Sequence, residues 1–269
     1  MTAVGVSVPA RGTMSTVLAV AQRDLLKLLR DRPRLAVNLA FPVLLIVGLG
    51  SALHSVLATA SGLDAVSVAF TGVLAATLFQ STAAGMISLV EDRDTDFARV
   101  LFLAPVRRIA PIAGKILGET LVALTQAVAV TGCAIAIGVR PTFGQAARLL
   151  PVTLACCLLG GGFGLATVAL LPNQRSAMQV FQFLIIPQYV LAGVLLPVRG
   201  LPRYLDVIAA GMPLRYAVTL ARAAFYAGTP AYRQAVPGSA AVAAVVVVVL
   251  CVVLLLGGTV LFDHRENHR

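Results

Sequence analysis

Long apolar runs alternate with short polar breaks along the chain. Six runs approach or exceed the roughly 20 residues a membrane-crossing helix needs: residues 35–53, 66–90, 109–139, 147–171, 177–198 and 240–262. Charge, Pro or Gly bounds each of them, and the last is the most uniform, with Val245–Val249 unbroken. The pattern predicts an all-α integral membrane protein with six transmembrane helices in one transmembrane domain, residues 1–269.

Three stretches between the runs have a pattern of their own. In residues 14–34, Val17, Val20, Ala21, Leu25, Leu28 and Leu29 fall near one helical stripe, and Arg23, Lys27 and Arg30 project elsewhere. This is an amphipathic interfacial helix, stopped by Pro33, that serves as a surface anchor or docks a partner. Residues 91–108 begin acidic (Glu91, Asp92, Asp94, Asp96, with Arg93 between) and then place Phe97, Val100, Leu101 and Ala104 at i, i+3, i+4 and i+7. Pro105 ends that stripe and Arg107 and Arg108 follow, so the stretch reads as a short docking helix or a solvated loop of mixed charge. Residues 199–237 hold two helix-like pieces, 201–210 and 213–227, each too short to cross. An external re-entrant helical hairpin between spans five and six fits them best, its arginines reaching the headgroups.

Composition narrows the class further. The chain is 59% hydrophobic and 12% charged, half the charge of an ordinary soluble domain, which runs near 25%. A soluble globular fold and a disordered chain are both excluded. The net charge of +10 points either to nucleic acid or to membrane topology. Position decides. The N-terminal segment, the breaks after spans two and four and the C-terminal tail carry 14 Lys and Arg, whereas the opposite short connections hold Arg140 and Arg148. Both termini are therefore expected in the cytoplasm of a multi-pass cell-membrane protein, among membrane lipids and with no nucleic-acid partner.

Candidate chemistry is sparse. Gln80, Thr125, Gln126, Gln179, Gln182 and Gln188 are polar positions inside spans. They line a pathway or hydrogen-bond between helices. Glu119 is an ionisable group within a span, a functional candidate by default, yet it sits four residues from Lys115 and reads as half of a local ion pair at the interface. Gly160 and Gly164 permit close helix approach, for packing or an oligomer seam. Cys133, Cys156, Cys157 and Cys251 are apolar packing residues. No phosphate-binding loop, H-E-x-x-H, G-x-S-x-G or metal spacing is present, so no catalytic or metal-ligating residue is assigned. If ATP drives this protein, another chain binds it.

Taken in order, these features resemble the membrane permease subunits of ABC-2-type exporters, most closely those of the daunorubicin-resistance type. The resemblance rests on the surface helix, on Glu91–Thr95, Phe97–Leu103 and Pro105-Val106-Arg107-Arg108, and on the stretch from Leu191 through Gly193 to Pro197, Leu201-Pro202, Met212-Pro213-Leu214-Arg215-Tyr216 and Arg222. Ala192, Met212 and Arg215 depart from the Ser, Asn and Thr usual there. The resemblance implies two six-span subunits, identical or related, with cytoplasmic ABC ATPase subunits docked beneath. ATP and Mg would lie on the ATPase, and no cofactor on this chain. It further implies that Glu91, Asp92, Arg93, Asp94, Asp96, Phe97, Leu101, Pro105, Arg107 and Arg108 couple to the ATPase, that Arg23, Lys27 and Arg30 mark the interfacial helix, and that Gly193, Pro197, Pro213 and Arg222 belong to the hairpin. The expected function is export of drugs, antibiotics or other amphiphiles and lipids. A polysaccharide exporter is the alternative within the class; an ion-coupled secondary transporter or channel, acting without an ATPase, is the alternative outside it.

Overall fold

The computed structural model describes residues 13–61, 63–89, 109–171, 173–195, 197 and 202–267. They form ten helices: α1 (Thr13–Arg30), α2 (Arg32–Ser61), α3 (Ala65–Ile87), α4 (Ile109–Ile137), α5 (Phe143–Leu170), α6 (Gln174–Leu191), α7 (Arg203–Ala210), α8 (Pro213–Tyr226), α9 (Tyr232–Ala235) and α10 (Ala240–Asn267). Among the described residues, four helices are long and apolar enough to cross a membrane: α3, α4 (from Ile112), α5 and α10 (to Leu261). The other two expected spans are not among these four. In α2 the described residues hold a shorter apolar stretch, Asn38–Gly48. In α6, only 18 residues long, four glutamines and Arg175 dilute the apolar content.

Local chemistry sets the boundaries. The first helix ends at Arg30, ahead of Pro33, which falls in the first turn of α2, where a missing N–H costs nothing. Asp64 caps α3 by accepting from the backbone N–H groups of Val66 and Ser67. Helix α5 starts at Phe143, earlier than its apolar run, because Thr142 and Gln145 close a capping box. Asn173 caps α6 through the Ser176 N–H at 2.8 Å. That helix stops at Leu191, well short of residue 198. The Gly193 N–H donates to Val190 O and the Val194 N–H to Tyr189 O, with Gly193 at φ 69°. This is a Schellman motif, and its left-handed position suits glycine.

Helix α3 is the centre of the bundle. Its buried residues run from Ala65 to Ile87 and include Phe70, Phe79 and Met86, and it packs against α2, α4, α5 and α8. Such all-round burial requires an apolar helix with no polar face. Its longest contact is with α5. Cβ atoms at Gly160 and Gly164 would overlap the backbone carbonyls of Phe79 and Ala83. These two glycines thus pack α5 on α3 within the chain. The opposite extreme is α10, which turns Val242, Val245, Val248, Val249, Val252 and Val253 outward. It touches α5 through Gly162 and Gly258. Cys156 and Cys157 are buried and all four cysteines are free thiols.

Candidate functional site

A groove of about 290 Å³ opens between α2, α3, α4 and α6. Helix α2 contributes Asn38, Phe41 and Pro42; α3 contributes Thr77, Gln80, Ser81 and Ala84; α4 contributes Val122 and Gln126; α6 contributes Met178, Gln182 and Tyr189. The α3 residues share one face because they recur at i, i+3, i+4 and i+7. The Tyr189 hydroxyl donates to Gln80 Oε1 at 2.8 Å across the groove. The polar lining is all amide and hydroxyl. It can hydrogen-bond an uncharged or weakly polar group, while Phe41, Pro42 and Met178 supply apolar contact.

This geometry divides the glutamine and threonine candidates. Gln80, Gln126 and Gln182 meet in the groove. Thr125 does not line it; its hydroxyl donates to the carbonyl of Val122 in the preceding turn, at 2.7 Å. Gln179 is exposed outside it. Gln188 is buried at the base of α8, where its Oε1 accepts from the Leu214 N–H at 3.4 Å. Thr77 and Tyr189 were absent from the candidates. The spacing Thr77–Gln80–Ser81 was the available signal for one of them, and Tyr189 lacked any.

A second feature adjoins the groove. Helix α1 lies on α4 with Val20, Ala21 and Leu28 buried. The approach is close because Gly114 and Gly118 face it. A Cβ at Gly114 would come within 2.9 Å of Val20 Cβ, and one at Gly118 within 3.0 Å of Ala21 Cα. Asp24 falls on this same stripe, four residues after Val20 and four before Leu28. It is buried, and Lys115 Nζ lies 3.2 Å from its Oδ2. The same Nζ lies 3.1 Å from Glu119 Oε1. The side chains of Lys115, Asp24 and Glu119 are 3%, 3% and 7% exposed. Arg23, more exposed, donates from Nε and Nη2 to Asp24 Oδ1 at 3.1 and 2.9 Å. So the Lys115–Glu119 pair exists, as part of a buried network joining two helices. Glu119 also fills the space that Gly85 leaves on α3, where a Cβ would collide with its carboxylate. Val122, one turn beyond Glu119, lines both this pocket and the groove. Lys27 and Arg30 are exposed on the outer face of α1 and, with Arg23, Leu26 and Asp31, border an open hollow.

The hairpin candidates assemble at the other end of α3. Arg222, on α8, is 0% exposed. Its Nη2 donates to the carbonyls of Gly193 at 2.6 Å and Val194 at 3.3 Å, which places a cation at the negative C-terminal end of α6. Burial lowers the Arg222 pKa to about 10, with the neighbouring Tyr226 opposing the shift, so the guanidinium is charged at neutral pH. The Val194 carbonyl sits where a Cβ on Gly72 of α3 would be. Pro213 opens α8 as its first residue, and Pro197 is half-buried. Gln145 Nε2 and Arg148 Nε of α5 donate to the carbonyls of Phe225 and Ala224, closing the far end of α8. An Arg215–Asp206 ion pair at 2.8 Å ties α7 to α8. The ten candidates between Glu91 and Arg108 lie outside the described residues. Among the described residues no cluster of His, Cys, Asp and Glu is suited to a metal.

Comparison with curated proteins gives no match. The profile of the ABC-2 type transporter family matches residues 15–226, from α1 to the end of α8. The chain belongs to the ABC-2 type transporter family. It is the membrane permease of such a transporter and is non-catalytic; in this family a separate subunit carries the ATPase.

Proposed function

We propose that the chain is one half of the membrane domain of an ATP-driven exporter that moves drugs, antibiotics or related amphiphiles out of the cell. It pairs with a second permease subunit and works above cytoplasmic ABC ATPase subunits. It crosses the membrane six times, through α2, α3, α4, α5, α6 and α10, and keeps both termini in the cytoplasm. Helices α7 and α8 form a re-entrant hairpin on the outer side. Residues 91–108 seat on the ATPase with Phe97 and Leu101 inserted, and α1 lies along the cytoplasmic leaflet.

The groove carries this reading. Asn38, Gln80, Gln126 and Gln182 gather on facing helices of an apolar bundle. Polar groups desolvated there need partners, and the polar part of an amphiphile supplies them while its apolar part meets Phe41 and Met178.

The test uses the tagged chain in its native membranes. Its ATPase subunit is expected to co-purify, and inverted vesicles are expected to accumulate daunorubicin with ATP. Phe97→Asp with Leu101→Asp is expected to release the ATPase. Gln80→Leu with Gln182→Leu is expected to keep the ATPase bound and lose daunorubicin accumulation. Retention of the ATPase by the first variant overturns the coupling assignment. Undiminished accumulation by the second overturns the groove as the path, and parental vesicles that accumulate no daunorubicin overturn the drug assignment.

A further inference from the structure

The charge network between α1 and α4 has features that packing alone does not require. A surface helix can be held by Val20, Ala21 and Leu28 against a glycine face, and two glycines, Gly114 and Gly118, provide that face. In its middle, however, the chain buries Asp24 against Lys115 and continues the contact to Glu119. Burying such ions costs desolvation that their mutual attraction repays only when the geometry is good. Apolar residues of similar volume often serve stability as well or better. What a buried ion set supplies instead is register: sliding α1 along α4 by one residue would part Asp24 from Lys115, break that ion contact across the seam and leave Asp24 to Arg23 and Lys115 to Glu119.

The network also reaches a third helix. Glu119 occupies the space left by Gly85 on α3, and Val122, one turn along α4, is part of the groove wall. A displacement of α1 therefore cannot be absorbed at its own surface. It passes through Asp24 and Lys115 into α4, and through Glu119 against α3, one turn from the groove.

We infer that Asp24, Lys115 and Glu119 are positioning residues that lock α1 in register on α4, so that movement of α1 is delivered to the groove at Val122. The inference rests on the exporter reading for the source of that movement, since an ATPase subunit beneath the membrane is what would push α1. The lock itself is a property of this chain alone.

The experiment uses the full permease chain, by itself and in complex with its ATPase, with the four native cysteines replaced. The variant is a triad neutralised with its shape kept: Asp24→Asn, Lys115→Met and Glu119→Gln together, which leaves no buried charge behind. Two readouts are taken. In one, Val20→Cys reports whether a maleimide reaches the α1–α4 seam in the permease without ATPase. In the other, a bimane on Met178→Cys reports the groove's response to ADP–vanadate trapping in the complex. The neutral triad is expected to insert, bind the ATPase and hydrolyse ATP. It is expected to expose the cysteine at position 20 and to lose about tenfold of the nucleotide-driven bimane response, within the range of allosteric coupling. Lys115→Arg, which keeps the cation, is expected to retain the response.

A neutral triad with a parental bimane response overturns the coupling role. Labelling at position 20 that is equal in the parent and the triad overturns the lock. A parent whose bimane signal ignores nucleotide overturns the exporter reading, and with it the source of motion, while the labelling still reports on the lock.

Discussion

Two junctions grip opposite ends of α3, and both bury a cation. Where α1 meets α4, Lys115 stands between two carboxylates, Asp24 and Glu119. Where α8 meets α6, Arg222 is held by the Gly193 and Val194 carbonyls at a helix C-terminus. Each junction presses on a glycine of α3, but differently. Gly85 makes room for a side chain, that of Glu119, whereas Gly72 makes room for backbone, the Val194 carbonyl. Full charges answer the first cation and partial charges the second. The first junction therefore depends on the balance among its members, and the second on the path of the chain.

The contrast can be broken most directly at Lys115. Lys115→Met removes the cation shared by the two buried carboxylates, leaving Asp24 with Arg23, and is expected to cost about 3–5 kcal/mol, the range for breaking a buried ion set. Unfolding in detergent would measure it. Arg222→Met is expected to cost less, about 1–3 kcal/mol, because it strands carbonyl oxygens and no opposite charge. Equal losses in the same assay would show that the helix end does as much for its cation as two carboxylates do.

The glycines sharpen the same point. Gly72→Ala is expected to destabilise by about 1–3 kcal/mol, because the Val194 backbone must move. Gly85→Ala should cost less than Gly72→Ala, since only the outer part of the Glu119 side chain stands in the way; the reverse order, read from paired melting curves, would make Glu119 the more rigid neighbour. The smallest effect belongs to neither junction. Tyr189→Phe removes one hydroxyl bond to Gln80 and should cost about 0.5–1.5 kcal/mol, while leaving the α1–α4 junction intact by the position-20 labelling test.

Much of this arrangement was legible in the order of residues. Helix α1, the long apolar helices, the short helices α7 and α8 and the Gly160–Gly164 seam all follow from apolar period and small-residue spacing. Asp24 was hidden because a single carboxylate on an apolar stripe looks like noise in a periodic pattern. Its meaning comes from Lys115, some ninety positions away. Gly114 and Gly118 show the same spacing as Gly160 and Gly164, yet the seam they form is with a helix outside the membrane runs. The end of α6 was misplaced because Leu195 and Leu196 continue the apolar run after Gly193 has already turned the backbone. Among the glutamines, composition marked all the polar positions, but only the helix rotation separates Gln182, in the groove, from Gln179, outside it.

The early stop of α6 also bears on the host membrane. At 1.5 Å per residue, its 18 residues span about 27 Å, whereas the 22 of Ala240–Leu261 span about 33 Å. A hydrocarbon layer of about 30 Å is bridged with length to spare by one and left a few ångströms short by the other. On the proposed six-span reading, the bilayer thins beside α6, and beside α10 it thickens or the helix tilts. A change in acyl-chain length then works against the two helices in opposite senses, and the lipid composition of the bilayer becomes a lever on the groove that α6 borders.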